Sequence, residues 1–245
     1  MLLEINYHSL NIEDEGGKEC PAVILLHHGL GSAAAWRRQV PALSQAGFRA
    51  LAYDRWGYGY SAARQGIDMP NFTQDLSDLQ RLLDILELGQ VSLVGHSDGG
   101  TIALYFAAAH PERVRSLVTV AAHVYVEEKM QPSILAVRHA FEHDGRFRAG
   151  LRRVHGDKFE QVFHNWFDGW ARSECKDWDL RPLLNSITCP VMVVQGEQDE
   201  HATPQHAIDI AAAIKGAGLW LVPGARHMLP QENAVIFNPR LLEFL

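Results

Sequence analysis

Gly95-His96-Ser97-Asp98-Gly99 sets a serine between two glycines, directly after the apolar run Val91 to Val94 and just before a helix-like stretch from Thr101 to His110. A strand that turns this sharply into a helix strains its middle residue and leaves no room for side chains beside it. Gly95 and Gly99 supply that room. The turn exposes the Ser97 hydroxyl at a strand end, and the helix N-terminus brings backbone N–H groups to where a negative oxygen would form. Gly-rich loops also produce such pentads, so the signal depends on the flanking strand and helix. Both are present, and Ser97 is the candidate nucleophile.

A serine is weakly nucleophilic until a base takes its proton, and the base must be held in one tautomer by an acid. Asp199 follows the strand-like run Val191 to Gln195, and His227 follows the run Leu219 to Val222. They are the candidate acid and base, with Glu197 and Glu200 as rival acids. His28-Gly29-Leu30-Gly31 follows the apolar run Ala22 to Leu26. Its Leu30 N–H, paired with the Asp98 N–H, makes a candidate oxyanion hole, in which each donor contributes about 3 kcal/mol to acyl transfer. The adjacent His27 and His28 suggest a metal, but neighbours at a strand end point in opposite directions and no acidic cluster joins them. They are read as loop-bracing residues, with no metal site.

These residues must be positioned by a regular frame. Leu2 to His8 alternates as a strand, and Asn11 to Lys18 carries the turn chemistry of a hairpin. Ala22 to Leu26, Arg49 to Tyr53, Val91 to Val94 and Val114 to Ala121 read as further strands, the first as a strand buried on both faces. Helices are expected over Ala33 to Gln45, Phe72 to Leu86, Thr101 to His110, Pro204 to Ile214 and Asn233 to Leu245. Leu76, Leu79, Leu82, Leu83 and Leu86 share one helical face, and Asp75, Asp78 and Asp84 are read as its solvated side. Strand and helix alternate, as in a parallel sheet covered on both faces. That rhythm breaks between His123 and about Ile187, where helical patterns rich in His, Arg, Trp and Phe suggest a cap. Residues 1–122 and 188–245 are therefore assigned to the core, and 123–187 to the cap.

The chain has 245 residues, 47% of them hydrophobic and 21% charged, as in one ordinary globular domain with an insertion. A net charge of -7 with no basic stripe argues against nucleic acid. Cys20, Cys175 and Cys189 have no metal or redox spacing and are read as reduced structural thiols. The N-terminal stretch has no basic region or long apolar run, so no signal peptide is expected. No run approaches the roughly 18 apolar residues of a membrane helix. A cytosolic protein without a membrane partner, monomer or homodimer, is expected.

With these stretches in order, the chain resembles the α/β-hydrolase superfamily over nearly its whole length. The resemblance rests on His28-Gly29-Leu30-Gly31, Gly95-His96-Ser97-Asp98-Gly99, Gly196-Glu197-Gln198-Asp199 before a Pro-started helix, and Gly224-Ala225-Arg226-His227. It implies a mostly parallel eight-stranded sheet with helices on both faces and a helical cap, and the order Ser97, Asp199, His227 is that of the family's triad. Haloalkane dehalogenases and epoxide hydrolases of the superfamily carry aspartate where this chain has Ser97. The Ser97-Asp98-Gly99-Gly100 elbow is similar to that of valacyclovir hydrolase, whose acid binds a substrate amino group. Asp98 is thus matched either to a substrate ammonium or to Arg55, Arg226 or a backbone donor.

The aromatics Phe163, Trp166, Phe167, Trp170 and Trp178 are either a pocket wall or the cap's own core. Trp36 and Trp56 share that ambiguity. Gly29, His123, Trp166 and Trp170 are the candidate substrate-binding residues, and His96 is read as structural. The favoured function is a carboxylesterase acting on small-molecule esters through Ser97, His227 and Asp199, without metal or organic cofactor. A C–C bond hydrolase or lactonase of aromatic breakdown uses the same triad. A non-catalytic small-molecule receptor is the alternative from another class.

Overall fold

The computed structural model describes residues 1–245, with side-chain surroundings for all but 173 and 174. The N-terminal hairpin pairs β1 (Leu2–Ile5) with β2 (His8–Glu15). Its turn lies at Asn6 and Tyr7, whose φ of 48° and 68° suit a tight two-residue turn. The stretch from Asn11, expected as turn, is therefore strand through Glu15. Its polar residues are tolerated because β2 runs near the sheet margin, where Asp14 pairs with Arg49 at 2.7 Å.

β3 (Ala22–Leu26) is followed by a 3-10 turn over Ala33–Trp36 and a separate helix α1 (Val40–Gln45), not one continuous helix. Pro41 sits in the first turn of α1, where its missing N–H costs nothing. Then come β4 (Arg49–Tyr53), α2 (Thr73–Ile85), β5 (Val91–His96), α3 (Asp98–Ala109) and β6 (Val114–Val120). Between β6 and β7 (Val191–Gly196), in the segment assigned above to a cap, lie the helices α4 (Met130–His143), α5 (Gly145–His155) and α6 (Phe159–Ala171), with 3-10 turns after them. α7 (Gln205–Ala213), β8 (Gly218–Val222), the short α8 (Leu229–Glu232) and α9 (Ala234–Phe244) complete the chain.

The strands form one eight-stranded sheet in the order β1-β2-β4-β3-β5-β6-β7-β8. β3 to β8 are parallel, and β2 meets β4 antiparallel. Successive β3 side chains enter opposite cores: Ile24 and Leu26 pack on the face carrying α2 and α3, Val23 and Leu25 on the face carrying α1 and α9. This two-sided burial explains why the central strands are continuous apolar runs.

Acids on α2 depart from the expected solvated face. Asp75 and Asp78 are buried, because the loops around them supply partners: Asp75 takes Arg55 at 3.2 Å and Arg64 at 2.8 Å, and Asp78 takes His8 at 3.0 Å. Only Asp84 stays at the surface, paired with Arg113 at 3.0 Å. Among the described residues, no helix is long and apolar enough to cross a membrane.

Candidate active site

The elbow at the end of β5 is built by close backbone approach. A side chain at Gly95 would collide with the Gly99 carbonyl, and one at Gly99 with the Leu26 carbonyl, so α3 can start only if both are glycine. Ser97 is left at φ 55° and ψ −121°, a strained conformation of the kind over-determined by its surroundings at reactive sites. Its N–H donates to the Val120 carbonyl of β6 at 2.8 Å, which holds the strain in place.

The loop after β7 and the loop after β8 meet beside this elbow. His227 Nδ1 donates to Asp199 Oδ2 at 2.8 Å, so the Nε2 lone pair is free to accept a proton. Asp199 Oδ2 also receives Gln195 Nε2 at 2.7 Å, and Oδ1 receives the His201 N–H at 2.8 Å. Burial raises the affinity of Asp199 for a proton, but the bond and charge of His227 and the His201 amide outweigh it and hold the carboxyl well below the usual range. Of its rivals, Glu200 instead binds the His227 backbone N–H at 3.1 Å and Arg226 at 3.1 Å.

His96 faces the loop that carries His227. Its Nε2–H donates to the His227 carbonyl at 2.9 Å, and burial drops its pKa to about 3, so the ring stays neutral. The reading of His96 as structural thus acquires a specific partner.

The loop after β3 carries Gly29 and Leu30 to the wall of the cavity that His227 also lines. His27 braces that loop, with Nδ1 donating to the His28 carbonyl at 2.8 Å and Nε2 accepting the Arg55 N–H at 3.1 Å. His28 faces the cavity and packs edge-on against His96. From α5, His155 donates through Nε2 to the Leu30 carbonyl at 3.1 Å, a brace the sequence did not announce. Asp98 opens α3, so its N–H is one of the four that a helix leaves without an internal acceptor.

These elements enclose a cavity of about 350 Å³ lined by Ser97, Asp98, His227, Gly29, Leu30, His123, Trp166 and Trp170. Every substrate-contacting candidate therefore shares one space with the serine and the imidazole. The sequence reading missed most of the apolar wall, Met130, Ile134 and Val137 of α4 and Phe147 and Leu151 of α5. Their only signal was helical spacing, which a core face shares. His201, also on the wall, lies edge-on to His227 at 4.5 Å and accepts or donates a bond with Ser133 of α4. Phe163 and Phe167 serve the cap's core instead, with Phe141 and Phe163 stacked at 3.7 Å. Trp36 is buried in the core behind the site, and Trp178 bonds the Tyr105 hydroxyl at 2.8 Å.

Asp98 is buried with an incomplete set of partners. Oδ1 accepts Trp170 Nε1 at 3.2 Å, a donor not among those expected for Asp98; Oδ2 has no hydrogen bond, and the expected partner Arg55 forms a loose ion pair with it at 3.8 Å. Arg226 is engaged by Glu200 at the surface. Burial pushes the Asp98 carboxyl up to about 6 despite the Arg55 charge. A side chain at Gly29 would collide with Trp166 and reach within 2.8 Å of Asp98 Oδ2, so only glycine leaves room beside that buried oxygen.

Chemically, the arrangement joins a strained hydroxyl, an imidazole tied to a carboxylate, and amide donors at a helix start, all opening on an apolar cavity. Comparison with known proteins points the same way. Residues 21–182 match the family described as alpha/beta hydrolase fold. The chain is 32% identical to mouse serine hydrolase BPHL, covering 91% of this chain and 79% of that protein. It is 29% identical to a putative carbamate hydrolase RutD of Variovorax paradoxus, over 96% of both. The solved structure of an enol-lactonase from Burkholderia xenovorans superimposes with a TM-score of 0.79 at 26% identity, covering 100% of this chain and 99% of the other. The eight-stranded order, the strained elbow and these matches together establish that the chain belongs to the α/β-hydrolase-fold family.

Proposed function

We propose that this protein is a serine hydrolase that cleaves small carboxylic esters through an acyl-enzyme. The observation that carries the reading is the 2.8 Å bond from His227 Nδ1 to Asp199, in a cavity that also receives the strained Ser97. Ser97 Oγ attacks the ester carbonyl while His227 Nε2 takes its proton. The Leu30 and Asp98 N–H groups hold the oxyanion, the C–O bond breaks, and His227 returns the proton to the leaving alcohol. Water, deprotonated by the same imidazole, then releases the acid. Gly29, His123, Trp166 and Trp170 line the substrate's space. The apolar wall from α4 and α5 favours an aliphatic or aromatic group over a charged one. The partly exposed thiols of Cys20 and Cys189, which form no disulfide, support a cytosolic site of action.

A second substrate reading is supported by Asp98 Oδ2, which has no hydrogen bond: a substrate ammonium would supply one, as the elbow's similarity to valacyclovir hydrolase implies. Likeness to an enol-lactonase keeps cyclic esters in the same class of substrate.

The test is hydrolysis of p-nitrophenyl acyl esters, amino-acid esters and lactones by the wild type, Ser97→Ala and Asp98→Ala. Turnover that falls about 10³-fold or more in Ser97→Ala is expected. Loss in Asp98→Ala confined to amino-acid esters would assign the ammonium role; equal loss on plain esters would assign Asp98 to internal pairing. A folded wild type that turns over none of these esters sinks the esterase, and ligand-dependent binding to another protein would then favour a receptor.

A further inference from the structure

His123, just past β6, lines the substrate's space in the mechanism above without a stated polar contact, and its surroundings are unusual for a buried histidine. It is 6% exposed, and neither ring nitrogen has a hydrogen-bond partner. Its main chain is fixed by Thr101, whose hydroxyl donates to the His123 carbonyl at 2.8 Å. The ring lies nearly parallel to His227 at 6.2 Å and edge-on to Trp170 at 5.9 Å and His206 at 5.4 Å. Those rings pack against it without offering a hydrogen bond, and it lines the cavity. A buried polar group without a partner is costly, and a pocket that keeps one is set up for a ligand to complete it.

The type of ligand follows from the ring's state and place. Burial, with the neighbouring His206 and His227, holds its pKa well below the ordinary value, so the ring is neutral and offers one N–H and one lone pair. A carboxylate would find no countercharge on this ring, whereas a hydroxyl can both donate and accept. In the sheet, β3 and β6 flank β5 on opposite sides. The Leu30 donor therefore approaches Ser97 from one side and His123 from the other.

We propose that His123 selects the substrate by hydrogen-bonding an uncharged hydroxyl carried by the ester, on the side of Ser97 away from Leu30. This rests on the ester-hydrolase reading. A site built to bond a hydroxyl discriminates strongly against the analogue that lacks it, because its own polar group is then left unpaired.

The experiment compares kcat/KM for matched pairs: p-nitrophenyl butyrate against its 2-hydroxy and 3-hydroxy counterparts, and butyl butyrate against 3-hydroxybutyl butyrate. Wild type, His123→Phe and His123→Gln are measured on each. The expected result is a preference of about ten-fold or more for one hydroxylated member in the wild type. That ratio collapses toward one in His123→Phe and is largely kept in His123→Gln, which retains a donor and an acceptor. If the wild type shows no preference, or the same ratio persists in His123→Phe, the proposal is overturned while the esterase stands. If the wild type cleaves neither member of any pair, the esterase reading falls, and this proposal with it.

Discussion

Asp98 illustrates how one side chain can carry two demands. Its N–H belongs to the helix start that would hold an oxyanion, while its carboxylate is buried with one indole bond and an arginine 3.8 Å away. The carboxyl pKa is raised to about 6, so between the ordinary value and 6 the folded state binds more protons than the unfolded one. Its contribution to stability is therefore greatest at low pH and declines as pH rises through that window. Asp98→Asn removes the decline. Urea unfolding of wild type and variant at pH 4 and pH 7.5 should show the variant gaining about 3 kcal/mol on the wild type over that interval, the equivalent of roughly two pKa units. An unchanged difference between the two pH values would mean that Arg55 neutralises Asp98 fully.

At the scale of elements, each reactive group sits on the C-terminal side of a parallel strand, and α4 supplies the wall facing them. Met130, Ile134 and Val137 occupy successive positions on one side of α4 and all reach the cavity. Ile134 touches the space without touching the proposed chemistry, which makes it the place to change chain-length preference. Ile134→Ala should move the optimum across C2 to C10 p-nitrophenyl esters toward longer acyl groups, by about three carbons, the number lost on truncation. An unchanged optimum with the same KM profile would show that the acyl chain lies elsewhere. The helix pattern alone did not distinguish this face from a core face, because both need apolar residues at spacings of three and four. On α2 the same limit misassigned Asp75 and Asp78: their burial depends on Arg55, Arg64 and His8, which the chain brings from other elements.

Across the whole molecule, histidines gather around the site and in the layers behind it. His27, His28, His96, His123, His155, His201 and His206 all have pKa values lowered from the ordinary range, in each case chiefly by burial, with His201 near 4 and His96 near 3. These groups are neutral in the fold and take up protons near pH 6.5 once unfolded. Stability is therefore intact above that pH and falls as pH drops through it toward 4, since the unfolded chain then binds more protons. Urea midpoints measured from pH 8 to pH 4 should drop steadily below about pH 6.5, with several protons bound on unfolding. A flat profile to pH 5 would contradict the neutral cluster.

The sequence by itself determined the parallel α/β frame and the order of the candidate residues along it. It could do so because those features are local. Apolar runs define buried strands, and Gly95 answers the approach of the Gly99 carbonyl four residues further on. The positions of Ser97, Asp199 and His227 just past strand ends follow from that frame. Tertiary structure decided what depends on partners from distant segments. The choice of Asp199 over Glu200 as the partner of His227 Nδ1 came from the meeting of two loops. Trp170 reaching Asp98, His155 bracing Leu30 and His123 being left without a partner all came from where the helices between β6 and β7 and the loops after β3 and β6 lie around the elbow. Hydrogen bonds and ion pairs are short-ranged, so chain spacing cannot specify them until the fold has set the distances.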